Sequence, residues 1–487
     1  MTIKIHNTLT GKLDEFKSIQ PEKVSLYTCG PTVYDYPHIG NWAAYIYWDV
    51  LVRILTINGY DVKRVMNITD VGHLVSDADE GEDKLEKGAR REGKTAWKVA
   101  KFYTDVFLDG MKKLNLIEPS VITKATEYIP QQLDLVRQLK TKGVTYQIDD
   151  GIYFDTSKFA SYADFAHLNL EELKAGARVE YNQQKRNPSD FALWKFTPEG
   201  EKRDMEWPTP TDLTSDGKER MGFPGWHIEC SAMALSELGK TIDIHTGGID
   251  HIPVHHTNEI AQSETANGVR FSNYWMHNNF LKVDGRKFSK SLGNGYTLDD
   301  LKKQGFTPLD FRMFLLQTHY RSEGNFTFDN LQSAHNRLHN WRNIAILRHQ
   351  IHDTVTSDKE RNDDEKTLSL YATSQAIIEA INNDLNTPEA LSIIDEAFTK
   401  LQNTRLENIN ANALNQLLDT IDQTLGLELI NNTPDISDES KQLIIKRNLA
   451  RQNKDWNLSD KLRDELLDIG ITLLDNQIGT IWQYTDK

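Results

Sequence analysis

The sequence predicts an α/β chain whose first part is a doubly wound nucleotide-binding sheet and whose last part is helical. Three observations lead there. Val24-Ser25-Leu26-Tyr27-Thr28-Cys29 has the composition of a buried strand, and Pro31 ends it. His38-Ile39-Gly40-Asn41 follows and runs into residues 43–52, a segment of helical character. Strand, loop and helix N-terminus in that order form the phosphate cradle of an open α/β sheet. Far downstream, residues 331–427 are helical in pattern, interrupted by a polar loop at 357–366. The 487 residues leave room for about three domains at ~100–200 residues each.

The first loop is built for a phosphate. Gly40 lets a nucleotide approach the backbone, and His38 can donate a hydrogen bond to a phosphate as negative charge builds on it. A second loop complements it. Lys287-Phe288-Ser289-Lys290-Ser291-Leu292-Gly293 places two lysines and two hydroxyls in a short stretch beside a glycine. Such a loop can close over a triphosphate and hold departing pyrophosphate with mobile positive charge.

Only two cysteines occur in the chain. Cys29 ends the first strand, and Cys230 closes Gly225-Trp226-His227-Ile228-Glu229-Cys230. His255 and Glu259 lie four residues apart, and an i, i+4 pair projects from one face of a helix. Two thiolates, an imidazole and a carboxylate are donors that Zn²⁺ takes in tetrahedral sites. One Zn²⁺ per chain is therefore expected on Cys29, Cys230, His255 and Glu259; the alternative is a pair of inert buried thiols.

Taken together, the two loops resemble the paired signatures of class I aminoacyl-tRNA synthetases, His-Ile-Gly-His and Lys-Met-Ser-Lys-Ser. Cys29-Gly30-Pro31-Thr32-Val33-Tyr34, Asn67-Ile68-Thr69-Asp70, the Gly225–Met233 string and His255–Ser263 narrow the resemblance to the cysteinyl-tRNA synthetase family. It runs from Asn7 to Trp482. The resemblance implies that L-cysteine is activated with ATP and Mg²⁺ and passed to cysteine tRNA. It puts the zinc on the same four donors, cysteine contacts on Thr69, Trp226 and His245, and ATP contacts on Gly40, Gly247, Gly248, Asp250 and Lys290. His38, Asn41, Lys287 and Lys290 become the catalytic set. Zinc then sorts cysteine from serine: it prefers a soft thiolate to an alcohol, where sorting by size alone separates such substrates only ~10–200-fold.

Some residues depart from the family's pattern. Asn41 stands where many members carry a second histidine, and it cannot carry charge. Phe288 replaces the usual methionine. The acidic run after Asp70, with His73, Asp77 and Asp79, differs from the short string common in the family and reads as a solvated loop.

The resemblance and the turn signals divide the chain. Residues 1–115 form the first half of the Rossmann-like catalytic domain, 116–222 a connecting insertion and 223–325 the second half with its lysine loop. Residues 326–430 form a helical bundle, in which Asn386-Thr387-Pro388 makes a good helix start. Residues 431–487 follow the linker Asn431–Asp435 and correspond to the family's anticodon-binding domain. Trp456 and Trp482 are candidates to stack on bases there, and Arg463 or Asp475 to read base edges.

The net charge of -15 argues against a general nucleic-acid binder. A tRNA enzyme must then concentrate positive charge locally, and the run from Lys441 to Arg463, with Lys446, Arg447 and Arg451, is the candidate. No stretch is long and apolar enough for a membrane span, and residues 1–6 do not read as a signal peptide. Two cysteines suit a reducing cytoplasm, so a cytoplasmic location is expected; separately, the chain is expected to be a monomer, though nothing in the sequence fixes its oligomeric state. Two rival readings remain: a ligase that passes activated cysteine to a small amine, and a non-catalytic zinc-containing RNA-binding protein of synthetase ancestry.

Overall fold

The computed structural model describes residues 2–72, 84–168, 182–287, 293–350 and 365–485. Its described residues divide into two compact units, Thr2–Lys303 with Tyr320–Asn325, and Gln304–His319 with 326–487.

The first unit opens with an antiparallel hairpin, β1 (Lys4–Asn7) and β2 (Lys12–Glu15). The expected first strand is β3 (Lys23–Thr28), and it is followed by α1 (Ile39–Ile57) and β4 (Asp61–Ile68). After α2 (Lys84–Glu92) and α3 (Ala96–Lys113) comes β5 (Val121–Lys124). The sheet is completed much later by β11 (Ile242–Gly248) and β12 (Ser272–Asn278). All five strands run parallel in the order β12-β11-β3-β4-β5. Val24, Leu26, Tyr27 and Thr28 are all buried, as befits a parallel strand covered on both faces. The winding direction reverses between β3 and β11. Ligands of open α/β sheets bind at that point, beyond the carboxyl ends of the strands. Cys29 follows the last residue of β3, and His245, Gly247 and Gly248 lie toward the end of β11.

Between β5 and β11 lies an antiparallel sheet of β6 (Thr145–Ile148), β7 (Gly151–Phe154), β8 (Phe191–Phe196), β9 (Trp207–Thr209) and β10 (Arg220–Pro224), in the order β6-β7-β8-β10-β9. Phe154, Phe191, Leu193 and Trp194 pack there with Leu133, Val136 and Leu139 of α4 (Ile129–Thr141). The boundary expected at residue 116 cuts off a strand that the parallel sheet keeps, because Val65–Ile68 pairs with Val121–Lys124. A four-residue strand carries little pattern of its own. The chain returns through α5 (Trp226–Leu238), a π-helical turn at Ile252–His256 and α6 (Thr257–Asn267).

The second unit begins earlier than the boundary expected at 326, since α7 (Pro308–Leu316) belongs to it. The helices α8 (Phe328–Ala345), α9 (Glu365–Asn382), α10 (Thr387–Gln402) and α11 (Ala411–Leu425) follow. Asn386 caps α10 by accepting from Glu389 N at 3.3 Å, with Pro388 in the first turn, as its sequence foretells. The polar loop at 357–366 falls largely outside the described residues. The unit ends in α12 (Asp438–Gln452), α13 (Trp456–Asp468) and a hairpin of β13 (Ile471–Asn476) and β14 (Gly479–Tyr484).

The stretch expected as a linker is held in place. Arg348 donates to Thr433 O at 2.9 Å and Ile430 O at 3.3 Å. Ile346 shares one apolar core with Ile436, Ile444, Leu466, Ile471 and Trp482. Among the described residues no helix is long and apolar enough to cross a membrane.

Candidate metal centre and active site

The loop after β3 turns sharply at Gly30, where a Cβ would lie 1.6 Å from Asn67 O. Only glycine fits, and the approach drops Cys29 beside the end of β11. Cys230 comes from α5, His255 from the π-helical turn and Glu259 from the first turn of α6. Their donor atoms lie within 4.8 Å of one another. An i→i+5 turn is rare and collects at functional sites; here it places His255 and His256 side by side on the cluster.

A second donor set, Cys29, His245, His256 and Glu259, overlaps the first within the same span. The two differ in what they face. Cys29, Cys230 and His255 line a cavity of about 470 Å³, whereas His245, His256 and Glu259 do not. Three donors of the first set line the cavity against one of the second, so an ion on the first set would be the more accessible of the two. The residues fit such an ion. Glu259 is fully buried, and apart from the Cys230 thiol its oxygens have no hydrogen-bond donor; a buried carboxylate so poorly satisfied needs a cation or a proton. Burial pushes the Glu259 pKa well above its ordinary value. It does the same to the Cys29 thiol, helped by the hydrogen bond with Cys230. A bound divalent cation reverses that logic and keeps thiolates deprotonated.

An outer ring of histidines orients the donors, and the sequence reading missed it. His256 Nε2 lies 3.4 Å from Cys29 Sγ, its Nδ1 2.7 Å from His277 Nε2, and His277 Nδ1 2.7 Å from Thr8 Oγ1. His227 Nδ1 meets His255 Nδ1 at 3.0 Å, which leaves the other ring nitrogen of His255 facing Glu259, 3.7 Å away. Burial holds His256 and His277 well below the usual histidine range, so both rings are neutral. Such partners fix the tautomer and orientation of ligating groups. Four histidines crowded between residues 245 and 256 were the available signal.

Thr69 and Trp226, expected as cysteine contacts, both line the cavity. Thr69 Oγ1 accepts from Asn67 at 3.1 Å and donates to the buried Glu229 at 3.3 Å. Trp226 lies with its ring centroid 4.6 Å from that of His255. His245 is corrected: it is fully buried behind the wall, stacked on Trp275, with Nε2 3.0 Å from Glu259 Oε2. Burial lowers its pKa to about 3, so it is neutral and positions the carboxylate, where substrate contact was expected.

The nucleotide signature meets the same cavity. His38, Gly40, Asn41, Gly247, Gly248, Asp250 and Lys287 all line it. His38 is the N-cap of α1, and its backbone N–H donates to Asn41 Oδ1 at 3.1 Å. Asn41 therefore fastens the helix start, a role its sequence position did not announce. Gly247 is required by packing, since a Cβ would sit 2.6 Å from the His256 ring and 2.7 Å from that of His251. Ile39 N–H donates to Tyr296 O at 2.8 Å, which ties the chain after the lysine loop to the signature helix. Phe288, Lys290 and the acidic run with His73, Asp77 and Asp79 lie outside the described residues.

The terminal hairpin corrects other expectations. Trp482 is 1% exposed, and core packing leaves it no face for a base. Trp456 is 58% exposed. Arg447 is buried and donates to Asp475 at 2.7 Å, and Arg451 pairs with the same carboxylate. These three residues hold helix to hairpin and are unsuited to free contacts with RNA. Lys446 and Arg463 remain on the surface, Arg463 beside Asp460 at 3.3 Å.

A parallel sheet with this strand order, and a cavity at its switch point holding the His38–Asn41 and Lys287 signatures, define a class I aminoacyl-tRNA synthetase. Residues 15–336 match the family described as tRNA synthetases class I (C) catalytic domain. A cysteine–tRNA ligase of Treponema denticola is 41% identical, with 99% of this chain and 100% of that protein covered. Cysteine–tRNA ligase 1 of Burkholderia lata is also 41% identical, over 96% of this chain and 93% of that protein. Among solved structures, Mycobacterium tuberculosis methionyl-tRNA synthetase with methionyl-adenylate shares the fold at a TM-score of 0.59 and 15% identity, over 83% of this chain and 92% of that one. The chain belongs to the cysteine–tRNA ligase family.

Proposed function

We propose that the protein activates L-cysteine with ATP to cysteinyl-adenylate and transfers the cysteinyl group to the 3′ end of cysteine tRNA. The observation that carries this reading is one cavity lined both by the thiols Cys29 and Cys230 with His255 and by the signature residues His38, Asn41 and Lys287. In the first step a carboxylate oxygen of cysteine attacks the α-phosphorus of Mg²⁺-bound ATP, and pyrophosphate leaves. His38, at the positive end of α1, donates to the phosphate as charge develops. Lys287, with Lys290 of the same loop, neutralises the departing pyrophosphate. In the second step a terminal ribose hydroxyl of the tRNA attacks the acyl carbon, and AMP leaves.

Cys29, Cys230, His255 and Glu259 would hold a zinc ion. When bound there it supplies a soft Lewis acid that favours a thiolate over an alcohol, the distinction between cysteine and serine. Thr69 and Trp226 shape the cavity around the substrate, and His245 and His256 steady the donors behind it. Exchange of labelled pyrophosphate into ATP should depend on cysteine and not on serine, and the protein should charge cysteine tRNA. Exchange without charging would point to a ligase that uses a small amine. No cysteine-dependent exchange at all would overturn the reading.

A further inference from the structure

The most basic stretch of this acidic chain stands beside the cavity and far in sequence from the cluster at 441–463. Residues 84–101 carry seven basic and two acidic side chains, in a protein of net charge -15. They form α2 and the start of α3. Two contacts tie this corner to the site. Arg91 Nη1 lies 3.9 Å from Asp35 Oδ2, and Arg91 Nη2 donates to Tyr103 Oη at 3.4 Å. Asp35 and Tyr103 both line the cavity.

Two large aromatic side chains stay exposed at that edge, Tyr36 at 47% and Phe102 at 40%. Tyr36 itself lines the cavity. Tyr36, Phe102 and Tyr103 meet edge to face, with centroids 5.1–6.1 Å apart, and none stacks on another. Lys94 Nζ lies 5.2 Å from the Phe102 centroid. A single exposed aromatic needs no explanation. Aromatic rings set among cations at the edge of a cavity have the composition of a single-strand binding platform, where bases stack and phosphates meet Lys or Arg.

The inference rests on the reading that this cavity charges tRNA. To reach an adenylate there, the 3′ end must enter as a single strand with its last bases unpaired. We propose that Tyr36 and Phe102 stack on the 3′-terminal nucleotides of the tRNA, and that Lys94 holds a phosphate between them. The acceptor end is thereby guided by α2 and α3 of the catalytic unit.

The test compares binding of intact cysteine tRNA with the same tRNA lacking its 3′-terminal nucleotide. The parental protein should prefer the intact form about tenfold. Phe102→Ala and Phe102→Leu should cut the preference to about twofold or less and raise the KM for tRNA, with cysteine-dependent pyrophosphate exchange close to parental. Leucine keeps the packing volume without the π face, so it covers the case in which the alanine variant unfolds, and Phe102→Trp should restore the preference. Lys94→Ala should weaken both tRNAs alike and lower the salt slope by about 0.7. A parental protein that binds both tRNAs equally, or a Phe102→Leu variant with the full preference, overturns the proposal. Failure of the parental protein to charge tRNA at all would instead refute the function on which it rests.

Discussion

Replacing Glu259 by glutamine separates two states of the metal centre. The carboxyl group is fully buried with only the Cys230 thiol to bond it, and burial holds its pKa well above the usual range. A carboxyl whose pKa is raised by folding costs nothing below its unfolded value of about 4.3, and it costs progressively more as pH rises toward the folded value. Metal-stripped Glu259→Gln should therefore melt at or above the stripped parental protein at about pH 7.5, with the gap closing toward about pH 4. Zinc should reverse that order, because an amide is no anionic ligand. Even outer partners of metal ligands are worth 10–100-fold in affinity, so a loss on the order of 100-fold is expected for a direct one. At free zinc 1,000 times the parental Kd, binding stabilises the parental protein by ~4.1 kcal/mol. A variant with ~100-fold weaker binding keeps ~1.4 kcal/mol, a difference of ~2.7 kcal/mol. Scanning calorimetry with and without chelator reads both orders, and metal analysis reads zinc content. Zinc retained at the parental level, or the same melting order in both conditions, would refute Glu259 as a ligand.

Lys290→Ala should slow adenylate formation roughly 10²–10³-fold with zinc content unchanged, measured by cysteine-dependent pyrophosphate exchange. Asn41→Ala removes the acceptor for His38 N–H at a solvent-exposed helix start. It should cost ~0.5–1 kcal/mol in thermal unfolding and slow exchange far less than Lys290→Ala. Trp482→Ala should destabilise the second unit by ~3–5 kcal/mol, read by denaturant unfolding. Trp456→Ala should leave stability within ~0.5 kcal/mol and weaken tRNA binding by ~1–3 kcal/mol in a filter-binding assay if that ring stacks on a base.

Donor chemistry made the cluster of Cys29, Cys230, His255 and Glu259 legible: soft and borderline ligands are scarce in this chain, and their motif strings stand out. The strand, loop and helix around Cys29 were legible because Pro31 and the apolar run of β3 mark abrupt changes of local preference. What escaped depends on contacts across long sequence distances. His245 has the composition of a substrate contact, and only the register of β11 beside β3 shows that it faces Glu259 behind the wall. Arg447 and Asp475 look like separate candidates to touch RNA, and a pairing 28 residues apart removes both. Val121–Lys124 belongs to the sheet because β4 receives it, and no alternation within four residues announces that.

The four donors come from opposite sides of the antiparallel insertion: Cys29 precedes it, and Cys230, His255 and Glu259 follow it. Between the two cysteines lie about 200 residues of chain, and β11 docks against β3 only after they have been traversed. A cation shared by both sides acts as a detachable cross-link across that span. The chain-entropy description used for disulfides gives a loop of such length roughly 5 kcal/mol of restraint on the unfolded ensemble. An ion held there would therefore also report that the nucleotide-binding halves have met, and a chain unable to bring them together would have no complete site to load.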